Sequence, residues 1–183
     1  MRDALVFAVY DCGFVARSAV EASDASEPRI DKIFRLIGES RYGIHDLSRI
    51  ELNDKDLPRF NMPFELGLFL GCKRYGGILH RNKACLVLEQ VKYLSKEYLS
   101  DLAGADVEAH KGDPFEAITT VRNFLNKSSA RTSIPTAQSM RKRYRAFCED
   151  LPTILADQEL DEDDLDFYDL SNVITEWLRA HAR

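Results

Sequence analysis

Ala84–Leu88 reads ACLVL, an unbroken apolar run that closes on Glu89 and Gln90. It is too short for an ordinary helix. A run of this kind suits a strand buried on both faces of a parallel sheet. The same pattern opens the chain: Ala4–Tyr10 reads ALVFAVY, with Asp11, Cys12 and Gly13 as the turn after it. Tyr42–Leu47 (YGIHDL) and Ala105–His110 are read as two further strands. Helical patterns lie between them. Phe14–Ala22 is one. A second, opened by Pro28, repeats Ile30, Ile33, Phe34 and Ile37 at i, i+3, i+4 and i+7. Others run from Pro63 through Lys73 and over Val91–Leu102. After the turn Lys111–Pro114, a stripe of Phe115, Ile118, Val121, Phe124 and Leu125 makes another.

Strands alternating with helices predict an α/β fold, a flavodoxin-like small parallel sheet flanked by helices, over residues 1–126. Lys127–Pro135, rich in Ser and Thr, reads as a linker. Residues 136–183 read as a C-terminal helical extension. It holds a basic helix, Thr136–Leu151, with RKRYR at Arg141–Arg145. An acidic stretch, Asp161–Asp169, follows, and then a helix carrying Leu170, Val173, Ile174, Trp177 and Leu178 on one face.

The 183 residues are 45% apolar and 30% charged, the balance of a folded domain with an appendage. The net charge of -5 argues against a nucleic-acid binder. That charge is uneven: residues 1–126 carry 17 Lys/Arg against 19 Asp/Glu, and residues 127–183 carry 8 against 11. The four cysteines form no C-x-x-C pair, and the histidines His45, His80, His110 and His181 show no metal-ligand spacing, so no metal site is expected. No leader pattern and no spanning apolar run is read, which gives the expectation of a cytoplasmic protein without a membrane partner.

In open α/β sheets ligands bind beyond the carboxyl ends of the strands. The residues expected there are Asp11–Gly13, Asp46–Ser48, Glu89 and Gln90, and His110 and Lys111. The helix near Pro63 starts on the same edge and carries Glu65 in NMPFELGLFLGCK (Asn61–Lys73), an acid among Phe60, Phe64 and Leu68. Burial there raises a carboxyl pKa, while a helix N-terminus lowers it. Gly67 and Gly71, four apart on one helical face, suggest a close backbone approach to a strand or a ligand. The plainer reading of Glu65 is that it caps its own helix.

PFELGLFLGCK followed by ACLVLE resembles the glutamate-bearing segment of the nucleoside 2-deoxyribosyltransferase family, and the layout of residues 4–126 is similar to that of TIR domains. VFAVYDCGFVARSAVE resembles the first strand and loop of that group, and GIHDLSRIELN its second strand. The spacing after Lys73 departs from the family pattern. A Ser-Trp pair before the glutamate is absent, and the aspartate expected shortly before it is met only loosely by Asp54 and Asp56.

The resemblance implies chemistry at the N-glycosidic bond of a nucleotide or NAD, as hydrolase or transferase, of the kind found in nucleotide salvage and bacterial antiviral defence. On it, Glu65 is the nucleophile or oxocarbenium stabiliser. Asp11 or Asp46 binds ribose hydroxyls or acts on the leaving base. Arg17 and Arg29 meet phosphates, Asn61 orients the carboxylate, and Tyr10 and Phe60 stack on a base. Ser48 lies beside Asp46 on the binding edge. No cofactor is required; NAD or a nucleotide is substrate or ligand, and a homo-oligomer is implied. The alternative is a nucleotide-signal sensor or protein-interaction module that does no chemistry.

Cys12 is a further nucleophile candidate with no evident His partner. RKRYR is read as a solvated helix face or an internal partner of Asp161–Asp169, ahead of a nucleic-acid contact.

Overall fold

The computed structural model describes residues 1–20, 26–49, 59–102 and 106–181. Its regular elements are α1 (Arg2–Asp11), α2 (Arg29–Glu39), β1 (Tyr42–Asp46), α3 (Asn61–Tyr75), β2 (Ala84–Glu89), β3 (Val107–Ala109), α4 (Pro114–Ser128), α5 (Ala137–Asp157) and α6 (Phe167–Ala180). The chain is α/β, a small parallel sheet flanked by helices and consistent with a flavodoxin-like layout. It divides into two compact units, one of Ala22–Gly112 and the other of Met1–Glu21 with Asp113–Arg183. The expected boundary at residue 126 is not followed, because α4 packs with α1 and α5.

In the sheet unit the strands run β1-β2-β3, all parallel, with Ile44 beside Leu86 and Val87 beside Val107. The middle strand buries Leu86, Val87, Leu88 and Glu89, as expected of a continuous apolar run. Helix α3 lies on β1 and α2 on α3. Leu66 of α3 joins Leu47, Val87 and Val107 in one apolar cluster. The buried Lys83 ammonium closes the end of α2 by donating to the carbonyls of Ile37, Gly38 and Ser40. Those are carbonyls that a helix end leaves without partners.

Three expectations need correction here. Val91–Leu102 is not one helix but two single 3-10 turns, Leu94–Glu97 and Ser100–Leu102. Tyr93 enters the left-handed region, and Tyr93, Tyr98 and Leu102 do not share a helical stripe. The last strand is only Val107–Ala109. Gly67 and Gly71 make no close approach among the described residues, for a Cβ at either position meets nothing there within 4 Å. Each therefore costs α3 about 1 kcal/mol relative to Ala without any packing gain inside the molecule.

The second unit is helical, and it holds the largest correction. Ala4–Tyr10 is not a strand; it lies inside α1. A helix apolar on every side is stable when it is surrounded, and α1 packs on α4, α5 and α6. Phe7 is fully buried, with the rings of Tyr144, Phe147 and Trp177 at 5.2, 5.3 and 6.1 Å. The sheet therefore has three strands among the described residues, not four.

Gly13, at φ 77, ends α1. Phe14–Ser18 is not helical, and Phe14 lies under the Arg131 guanidinium at 4.6 Å. Helix α4 starts as expected, with the Asp113 carboxylate accepting from the Phe115 N–H at 2.8 Å and Pro114 behind it. Helix α5 passes through Pro152 instead of ending at Leu151. Pro152 and Cys148, whose carbonyl loses a helical donor to it, are both exposed, so water can serve that carbonyl.

The basic cluster on α5 finds internal partners other than the acidic stretch. Arg143 grips Asp11, Tyr144 enters the aromatic core, and Arg141 and Arg145 lie over Phe115 at 5.8 and 5.3 Å. In α6 Leu170, Val173, Ile174 and Trp177 form the buried face, and the Trp177 indole N–H donates to Asp150 at 2.8 Å.

Candidate functional site

Two groups of polar side chains stand on the sheet unit. The first lies at the carboxyl edge. Asp46 ends β1, Ser48 follows it, and His110 follows β3. Strand β2 runs between them, so these side chains meet over its end. The Asp46 Oδ1 accepts from the Ser48 N–H at 3.0 Å, from the Ser48 hydroxyl, and from the His110 ring at 3.4 Å. Ser48 Oγ is 2.6 Å from His110 Nε2. The Gly112 N–H donates to His110 Nδ1 at 3.0 Å, so the neutral ring carries its proton on Nε2. The turn that allows this bond has Lys111 and Gly112 both at positive φ.

This is not a nucleophilic triad. Serine and aspartate share one ring nitrogen, and that nitrogen is a donor, so His110 cannot take the serine proton. What the network does is hold a carboxylate in place, with Oδ1 saturated. Beside it Glu89, at the end of β2, is fully buried. Its Oε1 accepts from the Ser95 N–H at 2.9 Å, and its Oε2 has no partner among the described residues.

The second group lies where the first turns of α2 and α3 come together. A cavity of about 220 Å³ is lined by Arg29, Ile30, Ile33, Asn61, Phe64 and Glu65. Pockets that enclose a whole ligand span roughly 300–1,000 Å³, so this one has room for part of one. Glu65 is half-buried between the apolar walls. Burial raises its carboxyl above the usual range, and the Arg29 charge works in the opposite direction. Helix α3 begins at Asn61 rather than Pro63, which puts Glu65 just beyond the first turn, with Leu66 and Phe69 turned toward the core.

The structure thus gathers Arg29, Asn61 and Glu65 in one pocket and Asp46 and Ser48 in one network; neither Asp46 nor Ser48 lines the pocket. Phe60 is half-exposed and is not among the lining residues. Tyr10, Asp11 and Arg17 belong to the helical unit, where Asp11 is the last residue of helix α1 and does not follow a strand. The Asp11 carboxylate is bound by the Arg143 guanidinium at 2.8–3.2 Å and is nearly buried. Burial lifts its pKa, and Arg143 offsets part of the rise. Cys12 is buried against Met140, and burial and Asp11 push its thiol up to about 12, the opposite of an activated nucleophile. Asp54 and Asp56 lie outside the described residues.

The sequence places His110 on the same carboxyl edge as Asp46 and Ser48, but it gives no role to Phe64, Ile30 or Ile33. The helical stripe that includes Ile30 and Ile33 was the available signal for the pocket wall. No local signal links His110 to Ser48, 62 residues away. Among the described residues no group of three or more His, Cys, Asp or Glu is placed to hold a metal ion. No helix among them is long and apolar enough to cross a membrane. No family model, curated protein or solved structure matches the chain.

Proposed function

We propose that the protein binds a nucleotide and acts on the N-glycosidic bond of a nucleotide or NAD through Glu65, as a hydrolase or transferase. The observation that carries this reading is the half-buried Glu65 carboxyl in a pocket whose other polar side chains are Arg29 and Asn61. In its ionised form Glu65 attacks C1′ of the ribose, and the C1′–N bond breaks with its electron pair leaving on the base. Water or a second base then displaces the carboxylate. Arg29 meets a phosphate, Asn61 orients the ribose, and the half-exposed ring of Phe64 stacks on the base.

No second acid stands among the described lining residues to protonate a departing base. That favours a substrate whose base leaves neutral, as nicotinamide leaves NAD. The resemblance of Asn61–Lys73 to the deoxyribosyltransferase segment supports the same chemistry. It extends the proposal to a cytoplasmic, homo-oligomeric protein of bacterial antiviral defence.

A sensor that binds the nucleotide without cleaving it is the second reading. It is favoured by the exposure of Asn61 and Phe64, which leaves the pocket open to water. Chromatography of free base separates the two. Wild type and Glu65→Gln are incubated with NAD and a panel of nucleosides and nucleotides. Base release by wild type alone supports the enzyme. Binding without release, equal in the two proteins, supports the sensor.

A further inference from the structure

Helix α3 has a face that its own unit does not use. Leu66 and Phe69 point to the core, and Glu65 and Asn61 line the pocket beside α2. On the opposite side Phe60, Phe64, Gly67, Gly71 and Tyr75 follow one another at three- and four-residue steps, a continuous helical stripe. Ile78 and Leu79, in the turn that follows the helix end, are exposed as well. Phe60 and Phe64 are 55% and 54% exposed, and Tyr75, Ile78 and Leu79 are 86%, 75% and 87% exposed.

At roughly 150–250 Å² for a large side chain, these exposures leave on the order of 600 Å² of apolar surface in water. That is at the top of what a monomer ordinarily shows and approaches the ~800 Å² per partner of a stable interface. The two glycines in the middle weaken the helix and face open space. No described residue uses their lack of a side chain, whereas a second backbone laid across them would.

We propose that the occupant of this face is a second copy of the chain, its α3 packed antiparallel on this one, with the glycines at the crossing. The stripe is complementary to itself in that orientation. A two-fold axis level with Phe69 sets Gly67 opposite Gly71 of the second copy and Phe64 opposite Arg74, each pair occurring twice. The exposed Arg74 side chain then lies on the Phe64 ring, a favourable cation–π contact. Phe64 also walls the Glu65 pocket, so the second copy supplies a cation to the pocket mouth. The pairing does not depend on Glu65 being catalytic.

Sedimentation velocity of the full chain, from about 1 to about 100 μM, tests the pairing. Wild type is expected to pass from monomer to dimer across that range. The double substitution Gly67→Leu with Gly71→Leu, which improves helix propensity, keeps the unfolding temperature but weakens association by roughly 100-fold, because the backbones can no longer approach. Phe64→Arg abolishes the dimer by setting it against Arg74, and Phe64→Arg combined with Arg74→Glu restores it. Glu65→Gln leaves the dimer intact whatever it does to base release, so this test and that of the catalytic reading fail separately. A wild type that stays monomeric throughout, or a dimer indifferent to these substitutions, overturns the proposal. So does a monomer that instead binds phosphatidylserine vesicles through Lys73, Arg74 and Arg81.

Discussion

Ala4–Tyr10 and Ala84–Leu88 are two short apolar runs, and they adopt different structures. The first is the body of α1, and the second is β2. Both are buried, so an unbroken apolar run reports burial and leaves conformation open. Flanking residues and neighbours decide. Residues 2 and 3 and Asp11 extend the first run to ten helical residues, and α4, α5 and α6 surround it. The second run lies between Tyr42–Asp46 and Val107–Ala109, whose backbones take up its hydrogen bonds on both sides.

The contrast can be broken most forcefully at the centre of α1. Phe7→Ala should cost about 3–5 kcal/mol in urea unfolding, since three aromatic rings lose their common partner. A loss near zero would mean that Phe7 is not enclosed. Val6→Pro removes a helical hydrogen bond and should cost about 3 kcal/mol or more, with loss of far-ultraviolet helical signal.

The sheet unit gives a pH test. His45 on β1 is buried with neither ring nitrogen partnered among the described residues, and burial lowers its pKa to about 4. The unfolded chain takes up that proton first, near the ordinary value of 6.5. Stability contributed by neutral His45 is therefore present above about 6.5 and is lost as the pH falls toward about 4, by on the order of 3 kcal/mol. Comparing His45→Phe with wild type across that window should remove most of the slope. An unchanged slope would assign it to other groups.

Smaller effects sharpen the picture. Asp113→Ala, at the start of α4, should cost about 1 kcal/mol through the lost cap. Glu65→Gln should slightly raise the melting temperature near neutral pH. With its pKa raised, ionised Glu65 costs the fold stability as pH climbs above 4.5, and the amide does not ionise.

Strands over Tyr42–Asp46 and Ala84–Glu89, and the helix start at Asp113-Pro114, follow from local pattern and turn chemistry, and the structure has them. The assignment of Ala4–Tyr10 failed because its conformation is set by α4, α5 and α6, more than 100 residues away along the chain. Helix α5 runs past Pro152 because the missing hydrogen bond falls on an exposed side, which spacing alone does not reveal. At the candidate site Glu65, Arg29 and Asn61 were each legible as chemistry-bearing residues. Their meeting in one pocket was not, because it depends on how α2 packs on α3. His110 is expected on the same carboxyl edge as Asp46 and Ser48, but its contact with them depends on the parallel pairing of β2 with β3.

The most direct test of the central claim is the rate of nicotinamide release from NAD, followed by chromatography over a pH series. If ionised Glu65 does the chemistry, release by wild type rises with pH through the raised pKa of this carboxyl and then levels, and Glu65→Gln is roughly 100-fold slower or worse at every pH. Release by Glu65→Gln at the wild-type rate, with the same pH profile, would contradict the account.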